Sequence, residues 1–132
     1  MSSSFGPVQD VTLTKSATLT LNLAQSAATY DAGTVAGGAI MILDAVLYVT
    51  VVGATFTAVT VQTNTTTAVE LLSVSEGAVA NVTAGKNLKV FTTQTIIPSG
   101  SKIQYTISGS TGTGTILLYL RYQPMANGAV IA

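Results

Sequence analysis

The sequence predicts an all-β fold: a single-domain antiparallel β-sandwich of the jelly-roll type. Three observations support this prediction. Short segments repeat apolar residues at every second position, turn-forming Gly, Pro and Asn separate these segments, and no segment has the apolar spacing of a long helix. The 132 residues suit one domain with a single core. We expect a flexible N-terminal arm over residues 1–10, the sandwich over 11–123 and a C-terminal tail over 124–132.

The first predicted strand covers residues 11–23, VTLTKSATLTLNL. Its apolar residues, from Val11 and Leu13 onward, alternate with Thr, Ser and Asn, which is typical of a half-buried strand. Lys15 interrupts the apolar face. Two interpretations remain open: one long edge strand, or an arm over residues 11–14 that reaches a neighbouring subunit. We expect residues 1–14 to contact another polypeptide, because Lys15 separates them from the main apolar face.

The next two segments differ in composition. Residues 24–38 are rich in Ala, Gly, Ser and Thr, which predicts a loop that holds at most a short strand around Tyr30. Residues 39–52 are strongly apolar and predict a buried strand. Asp44 lies within that strand and indicates a β-bulge or a strand end, because a carboxylate is costly on a core face.

Further strands follow, separated by turn signals such as Pro98-Ser99-Gly100. They cover residues 55–63, 68–75, 88–97, 102–108 and 115–122, the second of which fits either a strand or one helical turn. Residues 109–114 hold three glycines, which permit a chain reversal. We therefore expect the last two strands to form a central antiparallel hairpin. Their inward residues should line one core: Ile103, Tyr105, Ile107, Ile116, Leu118 and Leu120.

The residue inventory excludes several kinds of chemistry. The chain has no Cys and no His, so disulfides, zinc–thiolate sites and Cys–His or Ser–His catalysis are impossible. Lys and Arg total five and give no basic footprint for nucleic acid. The acids are scattered, and only Asp31 or Asp44 offers a starting point for a calcium site. We expect no enzymatic activity, no catalytic, cofactor or metal site, and no nucleic-acid partner.

The sequence also predicts where the protein resides. The opening MSSSFGPVQD lacks the basic residues and apolar run of a signal peptide, and the apolar stretch 39–52 is too short to span a bilayer. We expect no membrane partner. Charged residues make up only 8% and the net charge is zero, which favours association. A virion component that is assembled in the host cytoplasm needs no signal peptide and associates with other proteins, so we expect the protein to be one.

One strand face has the composition of an interface. Arg121 is the sole arginine, and it shares with Leu117 and Tyr119 the face opposite Tyr122. Arginine and aromatic residues are enriched in protein interfaces. We predict that this face binds a partner, together with Val11, Leu13 and Lys15 of the first strand. Tyr105, Tyr119 and Tyr122 on the last two strands are also compatible with sugar stacking, although packing in the core or between subunits is the simpler interpretation.

Three segments resemble small structural proteins of tailed bacteriophages: LYVTVVGATFTAVTVQTNTT (47–66), EGAVANVTAGKNLKVF (76–91) and TIIPSGSKIQYTISGSTGTGTILLYLRYQP (95–124). They are similar to the β-sandwich subunits that decorate or cement phage capsids. The resemblance implies a jelly-roll-like homo-oligomer, typically a trimer, that lies on the outer capsid lattice. It also implies that the major capsid protein is the main partner, and that the subunit stabilises the phage head by protein–protein contacts.

Two other functions remain open. Similar Thr- and Gly-rich strands occur in phage tail and head-fibre subunits. A carbohydrate-binding β-sandwich used in host adsorption, with a glycan as ligand, is the alternative from another functional class. A small hydrolase is disfavoured, because the chain has no His and its acids do not cluster.

Overall fold

The computed structural model describes residues 13–53, 56–111 and 113–132. These residues form ten β-strands and one short 3₁₀ helix, Val79–Asn81. The strands are β1 (Lys15–Asn22), β2 (Thr29–Ala36), β3 (Ile40–Gly53), β4 (Ala58–Thr63), β5 (Glu70–Leu72), β6 (Asn87–Phe91), β7 (Thr95–Ile97), β8 (Lys102–Ser108), β9 (Thr113–Pro124) and β10 (Val130–Ile131).

The strands form two antiparallel sheets that pack face to face. One sheet has the order β1-β9-β3-β6, with β7 also pairing with β3, and the other has the order β10-β2-β8-β4-β5. Consecutive strands therefore tend to alternate between the sheets, which is the connectivity of a jelly roll. The predicted all-β sandwich is confirmed.

The core lies between the two sheets and is built by period-two alternation. Along β8 and β9 the residues predicted to point inward are buried, including Ile107 and Leu118 at 1% and 0% exposure. Their neighbours on the opposite faces are more exposed. The largest fully buried side chains come from both sheets: Leu21, Leu23, Ile40, Ile42, Leu47, Leu71, Leu72, Ile97, Ile103, Ile107, Ile116 and Leu118.

The predicted hairpin between β8 and β9 is wrong. β8 pairs with β2 and β4 in one sheet, whereas β9 pairs with β1 and β3 in the other. The glycine-rich connection thus crosses from sheet to sheet. Gly109 has φ 93° and lies against Thr57, where a Cβ would come 2.2 Å from Thr57 Oγ1. Gly109 thus allows a close crossing of the chain rather than a tight hairpin turn.

The predicted loop over residues 24–38 contains an eight-residue strand, β2, which pairs with β8 and β10. The sequence did not reveal this strand because its residues are small. Large side chains of other strands fill the space beside them in the core. A Cβ on Gly33 would lie 3.0 Å from Leu19 Cδ1 and 3.1 Å from Ile131 Cγ2. The pairing of β2 also shifts between Asp31 and Gly33, and this irregularity interrupts the alternation.

The predicted C-terminal tail over residues 124–132 belongs to the sandwich. β9 extends to Pro124, and the chain then returns to add β10 beside β2. Thr34 and Ala132 exchange two backbone hydrogen bonds, of 2.8 and 2.9 Å. Ala129 is fully buried and Ile131 is 9% exposed. The neutral, apolar end of the chain orders here because it covers the edge of β2.

The remaining boundaries differ in detail from the predictions. Residues 1–10 and Val11 lie outside the described residues, and β1 begins at Lys15. The segment that fitted a strand or a helical turn is the short strand β5, followed by a turn. The predicted strand 88–97 is divided into β6 and β7, which pair with successive parts of β3.

Candidate interaction face on the outer surface of one sheet

Strand β9 presents two faces of different character. Ile116, Leu118 and Leu120 point into the core. Residues 117, 119 and 121 alternate with them and therefore point outward. Tyr119 is 45% exposed despite its large apolar ring. An exposed aromatic residue on a regular strand is a candidate contact point for a partner.

Strand β3 contributes to the same outer surface because of a bulge. Ile40 and Ile42 are fully buried, so a regular strand would also turn Asp44 into the core. The register with β9 shifts between Ile42 and Asp44, which changes the phase of the strand. Asp44 consequently lies on the outer side, and Ala45 takes the next core position with 0% exposure. The predicted bulge at Asp44 is confirmed.

After the bulge, outward residues of four strands align in two rows. In the first row Tyr119 lies opposite both Thr18 and Val46, and Val46 also lies opposite Val90. In the second row Leu117 lies opposite both Thr20 and Tyr48, and Tyr48 also lies opposite Asn87. Each row spans about 14 Å across four strands, and the rows are about 7 Å apart. We call the following residues the outer face: Val46, Tyr48, Val90, Leu117 and Tyr119.

An ion pair borders the outer face. Arg121 Nε donates to both carboxylate oxygens of Asp44, at 3.0 Å each, and Nη2 donates to Oδ2 at 2.5 Å. The Arg121 hydrogen bonds lower the pKa of the Asp44 carboxyl, and the carboxylate in turn raises the pKa of Arg121. The two charges neutralise each other, so a partner that covers this border would not have to compensate a single buried charge.

The structure brings together only part of the predicted interface set. Leu117, Tyr119 and Arg121 share one surface, as the alternation predicted. Lys15 lies opposite Tyr122, whose side chain is buried, and so belongs to the other side of the sheet. Leu13 precedes β1 and is 48% exposed, and Val11 lies outside the described residues. The interface role of all six residues stays a prediction.

Sequence reasoning missed three members of the outer face, Val46, Tyr48 and Val90. The first two lie in the segment 39–52, which was predicted to be a buried strand because its residues are almost all apolar. Asp44 was the available signal. A bulge at this residue shifts the alternation of the strand, so that Asp44 and every second residue after it point outward. Val90 is 53% exposed and alternates with Phe91, which is 9% exposed.

The other tyrosines of these strands belong to the core. Tyr105 is 4% exposed, and its hydroxyl donates to Gln25 Oε1 at 2.8 Å. Burial raises the pKa of the Tyr105 hydroxyl. Tyr122 is 3% exposed, and its hydroxyl accepts a hydrogen bond from the Ile131 N–H at 3.3 Å. Of the tyrosines considered for sugar stacking, Tyr119 alone offers an exposed ring.

The described residues hold no group of three or more His, Cys, Asp or Glu side chains that is suited to a metal ion. The two carboxylates considered for calcium already have partners. Asp31 accepts from Gln104 Nε2 at 2.8 Å and from Lys102 Nζ at 3.0 Å, and both contacts lower its pKa. Asp44 is bound by Arg121, as described above.

An open cleft of about 270 Å³ lies between the 65–67 turn and the end of β7. Its lining consists of Thr65, Thr66, Thr67, Val69, Ile96 and Pro98. Within the described ranges, no helix has the length and apolar character that a bilayer crossing requires.

Comparisons with known proteins include a structural likeness to a viral protein. No protein-family model matches the chain, and no curated protein matches it. The crystal structure of the infectious bursal disease virus VP2 subviral particle aligns with a TM-score of 0.34 and 13% sequence identity. The alignment covers 89% of this chain and 39% of that chain. A likeness at this level identifies neither a family nor a function.

Proposed function

We propose that this protein is a virion structural subunit, and specifically a capsid decoration or cement protein that binds the major capsid protein of a phage. The observation that carries the proposal is the outer face: five apolar side chains lie in two adjacent rows on the outer surface of one sheet, beside a neutralised ion pair. Such a surface favours association and has no chemistry of its own. Burial of apolar area stabilises a contact by about 25 cal/mol per Å².

The outer face by itself supports a weak contact. Its two tyrosines and three aliphatic side chains are partly exposed and offer on the order of 400 Å², whereas a stable interface buries about 800 Å² on each partner. A decoration subunit compensates by making several contacts with a repeating lattice, because linked contacts raise the overall affinity. In this proposal residues 1–14 and further copies of the chain supply the additional contacts.

Two other observations support the proposal. The sequence segments described above resemble capsid decoration proteins, and the jelly-roll connectivity is used by many viral capsid domains as well as by lectins. Fold alone does not select between these uses. The likeness to the VP2 subviral particle is too low to contribute.

The decisive experiment starts with particles of the virus whose genome encodes this chain. Mass spectrometry of purified particles should find the chain, and cryo-electron microscopy should place it on the outside of the head with the outer face against capsid protein. Absence of the chain from purified particles would overturn the proposal. Density on the tail or on a fibre would favour the fibre alternative instead.

A matched pair of variants tests the contact surface. We expect Tyr119→Asp to abolish co-sedimentation of the purified subunit with undecorated particles, because it places an unpaired charge in the contact. Gln62→Asp is the control, since Gln62 is exposed on the other sheet. Equal binding by both variants would exclude the outer face as the contact. A glycan array tests the carbohydrate-binding alternative. If that alternative is correct, the unmodified chain should bind a sugar on the array and Tyr119→Ala should not.

A further inference from the structure

Strand β1 is an edge strand of unusual regularity for this fold. Its eight residues pair with β9 without a register shift. The opposite edge of that sheet is divided between β6 and β7, and the edges of the other sheet are β10 and β5, of two and three residues. Short or interrupted edge strands resist pairing with other chains. Among the described strands, β1 is the long and uninterrupted edge.

The backbone groups that β1 directs outward can be identified. The Leu23 N–H donates to the Gly114 carbonyl, at 2.9 Å, so Leu23 directs its backbone toward β9. Along an antiparallel strand the direction alternates with each residue. Leu19 and Leu21 therefore bond to β9, whereas Ser16, Thr18 and Thr20 direct their N–H and C=O groups away from it. Within the described part of the chain, those six groups have no partner.

The Asn22 N–H supports this assignment independently. It belongs to the outward set, and it donates across the end of the sandwich to the Tyr105 hydroxyl, at 3.3 Å, rather than to β9. The outward edge is thus closed at its Asn22 end and open from Ser16 to Thr20. A strand added at this edge therefore has three residues with which to exchange hydrogen bonds.

We propose that β1 pairs with β1 of a second copy of this chain, antiparallel and across a two-fold axis at Thr18. In this register Thr18 lies opposite Thr18 of the second copy, and Ser16 lies opposite Thr20. Each outward N–H of one copy then meets an outward C=O of the other, which gives six hydrogen bonds by ordinary antiparallel geometry. The two sheets join into one continuous sheet.

A second copy fits this edge better than an unrelated chain. Antiparallel pairing of a strand with itself is self-complementary, which is the requirement of a two-fold interface. The register places Lys15 opposite Leu21 of the second copy, so no like charges face each other. The residues at the centre are small and uncharged, and Ala17 lies opposite Leu19, which extends the apolar side of the sheet.

This inference goes beyond the proposed function, because the dimer forms without any particle. It also differs from the trimer that the resemblance to decoration proteins implies. Its failure would leave the binding of the outer face to a capsid untouched, and the failure of capsid binding would leave the dimer untouched. Oligomeric state in solution is therefore the appropriate readout.

Light scattering after size exclusion tests the mass. We expect the purified full chain to have twice its mass of 13.4 kDa at high concentration and to dissociate on dilution. Thr18→Pro removes the central outward N–H and should give a folded monomer, because proline is tolerated at an edge position that donates to no neighbour. Thr18→Ala keeps the N–H and should remain dimeric.

Amide hydrogen exchange on the unmodified chain provides a test that needs no variant. The amides of Ser16, Thr18 and Thr20 should exchange rapidly at low concentration and slowly at high concentration, whereas those of Leu19 and Leu21 should be protected throughout. A monomeric or trimeric mass at every concentration would overturn the proposal. A dimer that survives Thr18→Pro, or protection of the outward amides that does not depend on concentration, would overturn it equally.

Discussion

Arg121 on β9 lies directly opposite Asp44 on β3, and its guanidinium binds both oxygens of that carboxylate. This pairing depends on the bulge that turns Asp44 out of the core. The bulge therefore has two stabilising consequences. It removes a carboxylate from the apolar interior, and it supplies a counter-ion for an arginine at the border of the outer face.

Below neutral pH, the decline in stability should be confined to the acid range. The pKa values of three carboxyl groups are lowered. The largest cause in each case is a side-chain hydrogen bond, from Gln104 to Asp31, from Arg121 to Asp44 and from Lys89 to Glu76. Stability from a lowered pKa is fully present above the ordinary values of 3.8 for Asp and 4.5 for Glu, and is lost as the pH falls through the folded values. Urea unfolding at a series of pH values should show this decline. Because the chain has no His, a fall between about pH 5 and pH 8 would contradict the prediction.

Two adjacent leucines of β9 should respond differently to truncation. Leu118 is fully buried, so Leu118→Ala should lower the free energy of unfolding by about 2–5 kcal/mol. Leu117 lies on the outer face, so Leu117→Ala should cost less in the isolated subunit and should weaken binding to particles. Urea unfolding and particle co-sedimentation measure the two effects. Equal, small effects on stability would show that the faces of β9 are wrongly assigned.

Gly77 should tolerate no side chain. A Cβ at this position would lie 1.7 Å from the Val59 carbonyl oxygen, and the Gly77 carbonyl accepts from the Val59 N–H at 2.9 Å. We expect Gly77→Ala to lower the free energy of unfolding by more than about 3 kcal/mol, or to prevent folding, since the Val59 backbone is held in β4 by its pairing with β8. Gly85→Ala is the control. Gly85 has φ 81° but open space around it, so only the backbone cost of about 1–2 kcal/mol is expected.

The C-terminal strand should contribute to stability although it is short. Ile131 packs in the core beside β2, so Ile131→Ala should lower the free energy of unfolding by about 2 kcal/mol or more. Met125→Ala should have little effect, because Met125 is 45% exposed. Thermal unfolding of the two variants compares them directly. If Ile131→Ala proved neutral, residues 130–131 would be a tail after all.

Much of the candidate site followed from alternation alone. Leu117, Tyr119 and Arg121 were placed on one surface because they alternate with Ile116, Leu118 and Leu120, and the bulge at Asp44 followed from a carboxylate within an apolar run. Val46 and Tyr48 were missed, because an apolar residue on an exposed sheet face has the same sequence pattern as one in a core. Where β2 lies, only a short strand around Tyr30 was considered, because Gly33 has no side chain to signal burial and Leu19 and Ile131 fill its place.

The sequence by itself determined that the chain is a β-sandwich and which side of β1, β8 and β9 is buried. Period two encodes the buried face of a strand, since side chains alternate whatever the neighbouring strand is. Only the tertiary structure decided which strands are neighbours. Ile107 and Leu118 point into the same core whether β8 and β9 form a hairpin or lie in opposite sheets, so both arrangements produce the same pattern of residues. The choice between them depends on backbone hydrogen bonds, and those are made by groups that every residue shares.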